Sequence, residues 1–427
     1  MVSEPRFFLP RVRRRHGDPI SRPADRQALR GDLLRRGRAG VDPAVGAADP
    51  SLQRAGCQRA AGPVPVHRGM SGRPLRIALV APLVSPIAEP FIGGSQALLH
   101  DLATALAAAG HAVTLFAADG SVVTGAEVVR LGIDSQRLRP TDFAHPGPAD
   151  PGLLAEERVC FLRIAYEIRR RAGEFDVVHN HAFDAPPFEL LQDAHGHVCH
   201  TLHLPPLVPG VTQAVRQAAA QGAVLITVSC FAQTAWTDVV GQTRQILNAV
   251  PVDRIALGPQ QRAGWLFVGR ISPEKGLETA LEIAEAAERR LRIIGAVYDR
   301  DYAAQLRTRL ERHDLLGLRR RDQVFVEMGG AEGILMPVDW DEPFGLTAAE
   351  AMAAGTPVAA YARGALAEII ADGETGYLVA PGDVNGLQRA AARFTEIDPR
   401  ACRRRALERF SLTRMVSEYE TLYRELA

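Results

Sequence analysis

From Leu75 onward, apolar residues come in short continuous runs of strand length, separated by stretches where they recur every three or four positions. LRIALVAP, from Leu75, is the first run. A loop ending in Gly93-Gly94 leads into SQALLHDLATALAAAG, an amphipathic helix that Gly110 closes. HAVTLFAA (from His111), EVVRLG (Glu127), FDVVHNH (Phe175), HVCHTLH (His197), AVLITVSC (Ala223) and RQILNAV (Arg244) follow as short strands, most of them separated by helical segments. Strands apolar on both faces that alternate with helices predict a parallel sheet covered on both sides. VPVDRIALGPQQRAG, Val250 to Gly264, interrupts the rhythm with two prolines and two glycines and is expected to be a linker. The alternation then restarts with WLFVGR (Trp265), a helix from about Gly276, LRIIGA (Leu291), QVFVEM (Gln323), GILMPV (Gly333), PVAAYA (Pro357) and GYLVAP (Gly376). The expectation is an α/β fold of two tandem doubly wound domains, 74–255 and 256–410, with ligands in a cleft beyond the carboxyl ends of the strands. SLTRMVSEYETLYREL, from Ser411, is an amphipathic helix with a serine cap, and 411–427 forms a last element.

Composition separates the first 73 residues from the rest. They carry fifteen arginines and six acidic residues, with repeated Pro and Gly and no sustained apolar period. The expectation there is a disordered or non-native extension, with translation starting at Met70. Over the whole chain the formal net charge is +1, which gives no reason to expect nucleic acid or an anionic membrane as partner. No apolar run reaches the roughly 18 residues of a membrane span. The five cysteines are odd in number, scattered and without a CxxC pair. A disulfide framework or thiolate metal site is therefore not expected, and a cytoplasmic setting is. Of the 50 basic residues only Lys275 is a lysine.

Three stretches carry candidate chemistry. Gly93-Gly94 would let backbone amides at a helix start approach an anion, although alone the pair is as well explained by a turn. No GxGxxG is present, which disfavours a dinucleotide cofactor. GRISPEKG, Gly269 to Gly276, places Arg270 and Lys275 at the carboxyl end of a strand, where a guanidinium and an ammonium could flank a diphosphate. The plainer alternative is a surface turn with two solvated cations. WDEPFGLTAAEAMAAG, Trp340 to Gly355, holds Glu342 and Glu350 in apolar company, so both need partners. Pro343 suits the first turn of a helix and Gly355 its end. Eight positions along a helix rotate by about 800°, so the two carboxylates need not share a face. They could reach different ends of one extended ligand, with phosphate at the amides of Phe344, Gly345, Leu346 and Thr347.

GRISPEKG followed by EPFGLTAAEAMAAGTPV resembles the retaining glycosyltransferases of family 4, which have two Rossmann-like domains in the GT-B arrangement. The family's ExxxxxxxE signature matches Glu342 and Glu350, and the likeness extends through FIGG, DVVHNH, TLH, TVSCFAQ, LNAV and AEIIADGETGYLVAPGD. The resemblance implies that Arg270 and Lys275 bind the donor diphosphate, that Glu342 holds sugar hydroxyls and that Glu350 holds the ribose. It implies that the amides of Phe344, Gly345, Leu346 and Thr347 contact sugar and phosphate, with Gly93 and Gly94 facing them from the other domain. His179, His181 and His203 would line the acceptor side, with His181 in a catalytic role. Neither cofactor nor metal is expected, since no DxD stands at a strand end and the two cations can neutralise the leaving group; His179 and His181 are expected to hydrogen-bond.

The implied reaction moves a hexose from a nucleoside diphosphate sugar, UDP-linked in preference, to a hydroxyl of a small molecule, glycan or lipid. A soluble acceptor is mildly favoured. Alternatives are a catalytically silent nucleotide-sugar-binding relative, a nucleotide-sugar epimerase, or a glycan phosphorylase, which would need a pyridoxal-phosphate lysine. One departure from the family is expected. QVFVEMGGAEGILMP leaves only a few residues between two strands where relatives have a whole helix lining the nucleotide base. In the family the last helix crosses back to the first domain.

Overall fold

A computed structural model describes residues 73–138, 151–192 and 197–427. The expectation for the N-terminal extension falls almost wholly outside them. The first sheet has seven parallel strands in the order β3-β2-β1-β4-β5-β6-β7. They are β1 (Arg76–Val80), β2 (Ala112–Phe116), β3 (Glu127–Val129), β4 (Val177–Asn180), β5 (His197–Leu202), β6 (Val224–Thr227) and β7 (Arg244–Gln245). Strand β1 shows why continuous apolar runs are needed. Ile77 and Leu79 enter one core with Leu98, Leu102 and Val113, while Ala78 and Val80 enter the opposite one with Phe116, Phe161 and Ile164.

The second sheet has six parallel strands in the order β10-β9-β8-β11-β12-β13. They are β8 (Trp265–Val268), β9 (Leu291–Ile294), β10 (Asp314–Gly317), β11 (Gly333–Met336), β12 (Val358–Tyr361) and β13 (Gly376–Val379). Its core gathers Leu266, Ile293, Ile334, Ala359 and the helix Leu346–Ala353, and the linker residues Val252 and Ile255 join it. The helix Leu412–Leu426, capped by Ser411, packs Met415, Tyr419, Leu422 and Tyr423 into the first domain's core beside Ile77 and Leu98.

Two expectations need correcting. QVFVEM is not a strand: it lies in the helix Arg321–Gly330, and the strand that precedes β11 is β10. Arg321, Phe325, Met328 and Gly329 are buried at helical spacing, while Val326 is 75% exposed. The Val-Phe-Val run imitates a strand, but its apolar members do not face one core. A whole helix therefore stands between β10 and β11, and the supposed shortening does not exist. The Gly329-Gly330 end of this helix touches the linker: a Cβ on Gly258 would lie 2.1 Å from the Gly329 carbonyl oxygen. The second correction concerns RQILNAV, of which only Arg244 and Gln245 are strand; the remainder runs on to Val250, whose amide donates to Phe410 across the linker.

Candidate functional site

The carboxyl ends of the two sheets face each other across a cleft of about 660 Å³. Its walls include Gly93, Gly94 and His203 from the first domain and Arg270, Lys275, Glu342, Phe344, Gly345, Leu346, Thr347 and Glu350 from the second. Glycines set how closely these walls approach. A Cβ on Gly94 would lie 2.8 Å from Leu346 Cδ1, so the first helix, Gly94–Ala108, starts directly against the start of the helix Leu346–Ala353. Gly345 caps the second of these helices with φ 98°, a left-handed conformation that other residues rarely adopt. Pro343 therefore lies in the loop before the helix rather than in its first turn, as the sequence suggested. Gly276 also sits at positive φ, where a Cβ would be 1.8 Å from the Pro337 carbonyl oxygen; this pins GRISPEKG against the end of β11.

Both cations of that turn are held in place. Lys275 Nζ lies 3.0 Å from Glu342 Oε2 and 4.6 Å from the centre of the Trp340 ring, whose Nε1 donates to the same carboxylate oxygen at 3.0 Å. Arg270 packs 4.7 Å over the Tyr298 ring and reaches Glu274 at 3.2 Å, and Ser272 donates to that carboxylate at 2.7 Å. Sequence placed Lys275 and Glu342 at one ligand; the structure brings them into direct contact.

Glu350, two turns along the helix, meets a residue that sequence reasoning missed. Arg321 donates to Glu350 Oε1 through Nη2 at 2.7 Å and Nε at 3.1 Å, and through Nη1 to Asp101 of the first domain. The triad is enclosed: the side chains of Arg321, Asp101 and Glu350 are 7%, 1% and 12% exposed. Burial pushes the Glu350 carboxyl above the usual carboxylate range, and the Arg321 charge and its hydrogen bonds work against that rise. Reading QVFVEM as a strand hid Arg321, because only the helix aims its side chain at Glu350.

The three histidines divide. His203 lines the cleft, whereas His179 and His181 stand behind it, 0% and 1% exposed, and are not among its lining residues. Every ring nitrogen of those two has a protein partner: Tyr423 and Thr201 for His179, with His203 and His179 itself for His181. Burial pushes both well below the usual histidine range and His203 down to about 4. The cleft thus meets one imidazole, His203, with two buried ones behind it.

Residues 92–254 match the family model described as Glycosyltransferase Family 4, and residues 255–409 match that described as Glycosyl transferases group 1. The chain belongs to glycosyltransferase family 4. This glycosyltransferase is 28% identical over 389 residues to the glycogen synthase of Mycobacterium tuberculosis (strain ATCC 25618 / H37Rv), covering 81% of this chain and 91% of that protein. It is 27% identical over 344 residues to the phosphatidyl-myo-inositol mannosyltransferase of Mycobacterium leprae (strain TN), covering 74% and 87%. Among solved structures, sucrose-phosphate synthase from Thermosynechococcus elongatus superposes with a TM-score of 0.68 at 22% identity, covering 82% of this chain and 99% of that one. Anabaena HepE, solved in complex with UDP and glucose, superposes with a TM-score of 0.65 at 17% identity, covering 82% and 100%. The shared feature of these neighbours is the two-domain GT-B fold. Among the described residues, no helix of the glycosyltransferase is long and apolar enough to cross a membrane.

Proposed function

We propose that this glycosyltransferase moves a hexose from a nucleoside diphosphate sugar, preferentially a UDP-sugar, to an acceptor hydroxyl with retention of configuration. The observation that carries the reading is the Lys275–Glu342 contact at 3.0 Å beside the start of the helix Leu346–Ala353. A diphosphate at that helix start meets Lys275, Arg270 and the free amides of Leu346 and Thr347, and the macrodipole adds to their field. Glu342 accepts hydrogen bonds from sugar hydroxyls, and Glu350 takes the ribose. The anomeric carbon's bond to the diphosphate breaks as the acceptor oxygen bonds that carbon from the same face, and the acceptor proton leaves on the diphosphate. The barrier falls through orientation and stabilisation of the leaving group. The solved complex of HepE with UDP and glucose supports a uridine donor.

The helix Arg321–Gly330 supplies the wall that sequence had judged missing, which removes the main reason for reading the chain as a silent relative. Calorimetric titration of the full chain with UDP, GDP and ADP, beside a donor-hydrolysis assay, tests the proposal. UDP is expected to bind most tightly. Lys275→Ala is expected to lower turnover by about a hundredfold or more, the usual loss when one donor to a developing anion is removed. Unchanged turnover in that variant would overturn the reading.

A further inference from the structure

Charge is distributed unevenly around the cleft. Among the described residues, every charged side chain that lines it comes from the second domain: Arg270, Lys275, Arg319, Arg321, Glu342 and Glu350. The described lining residues of the first domain include no carboxylate, guanidinium or ammonium. Their one imidazole, His203, is held down to about 4 by burial and is neutral at pH 7. Carbon dominates that wall: Val84, Phe91, Phe183 and Leu204 are half-buried at the cleft and Ile92 is 45% exposed. Polar groups on it are few. Ser95 donates to Gln96, whereas Ser85 Oγ and Asn248 Oδ1 are closed off from water without a protein partner. Past Phe183, His203 and Leu204 the wall continues into a side recess of about 30 Å³. Phe188, Leu202, Pro205, Leu207, Val211 and Trp236 line the recess. Its polar atoms are spent within the protein: Trp236 Nε1 donates to the Leu204 carbonyl at 2.9 Å, Thr212 Oγ1 donates to the Val208 carbonyl at 3.0 Å, and Thr201 Oγ1 meets His179 at 2.8 Å.

We propose that this first-domain wall is the acceptor site and that it takes a compact, uncharged alcohol whose body is an apolar ring. A sugar phosphate would bring an anion against carbon with no cation on that wall to meet it, which is costly. An oligosaccharide would bring a hydroxyl on nearly every carbon, and each one stripped of water without a partner counts against binding. An apolar ring instead gains by leaving water, and Phe91 and Phe183 give it aromatic faces and edges to pack on. Ser85 and Asn248 are enough for one or two ligand hydroxyls. Size argues against a lipid. The recess has roughly the liquid volume of one water molecule, so it admits a methyl group or a ring edge and not an acyl chain. The two ends of the reaction are thus sorted by chemistry: anion toward the second domain, carbon toward the first.

The wall's role as acceptor site rests on the transferase reading, whereas its preference for an apolar ring does not, so binding and transfer are measured separately. The full chain with UDP is titrated in the calorimeter with 2-naphthylmethanol, maltotriose and glucose 6-phosphate. The same three, and 1-hexadecanol in neutral detergent micelles, are then offered as acceptors with UDP-glucose. 2-Naphthylmethanol is expected to bind about tenfold more tightly than either sugar, or better, and to be glycosylated with the highest kcat/KM of the four. Leu204→Asn is expected to raise its KM about tenfold, with urea unfolding reporting whether the variant folds. Should it not fold, Leu207→Ser, at a side chain already 54% exposed, is expected to raise that KM about threefold. No saturable binding of 2-naphthylmethanol, a sugar bound or used as well as it, a preference for 1-hexadecanol, or a KM unmoved in the folded variant would overturn the proposal. Preferential binding of 2-naphthylmethanol with no turnover of any nucleoside diphosphate sugar would fail the transferase reading and leave the apolar site standing.

Discussion

The two walls of the cleft satisfy buried polar groups in opposite ways. Beside the helix Leu346–Ala353, Arg321 joins Asp101 and Glu350 in a charged triad, and Lys275 pairs with Glu342. On the other side, His203, His181, His179, Thr201 and Tyr423 share protons with no formal charge. Charge is useful where an anion must be held, because its field reaches a ligand without exact alignment. Neutral hydrogen bonds are useful where direction matters, because each one fixes the next. One cost follows from each choice: charged groups must never lose a partner, and neutral ones must never gain a proton.

Removing the centre of the charged side gives the largest expected effect. Arg321→Met leaves Asp101 and Glu350 enclosed without their cation and is expected to cost about 3–5 kcal/mol in urea unfolding. Adding Asp101→Asn should return part of that loss, and a cost below about 1 kcal/mol would mean that solvent reaches the triad. The neutral side responds to acid instead. Burial lowers His203 from 6.5 to about 4 and its β5 neighbour His200, whose ring meets Asn180 and Gln192, from 6.5 to about 3, so the unfolded chain binds protons first. Their contribution is fully present above 6.5 and fades as the pH falls through that value. Unfolding at pH 5 is expected to be easier than at pH 7 by about 2 kcal/mol for each ring. Equal stability at the two values would mean that the rings are hydrated. The smallest effect lies where the walls touch. Gly94→Ala puts a methyl group 2.8 Å from Leu346 Cδ1, the end of a side chain that can shift. It is expected to cost about 1 kcal/mol and to raise the donor KM a few-fold in steady-state kinetics, with kcat little changed.

Much of this arrangement was legible before any coordinates. Continuous apolar runs marked most strands of both sheets, because a parallel strand buried on both faces has no polar alternation to confuse the reading. Lys275 and Glu342 were legible because GRISPEKG and EPFGL each follow a strand end. Arg321 was not, because Val324, Phe325 and Val326 read as strand while the period that matters, from Arg321 to Phe325 to Met328, is helical. The histidine chain was half legible. HNH and TLH each put alternate residues on one face, but the pairing of His179 with Thr201 needs the register of β4 against β5. The resemblance sent the last helix back to the first domain, but no pattern in it singled out Tyr423 as the residue that meets His179.

Leu346 packs against the cores of both domains while it opens the helix proposed to face the diphosphate. Any widening of the cleft that parts those domains must hand some of that side chain to water, a transfer worth about 1.5–3 kcal/mol if complete. Such a contact weakens on cooling and carries a heat-capacity signature. The enzyme's access step therefore has a built-in thermometer: Arrhenius plots for donor entry should curve, and the cleft should loosen in the cold.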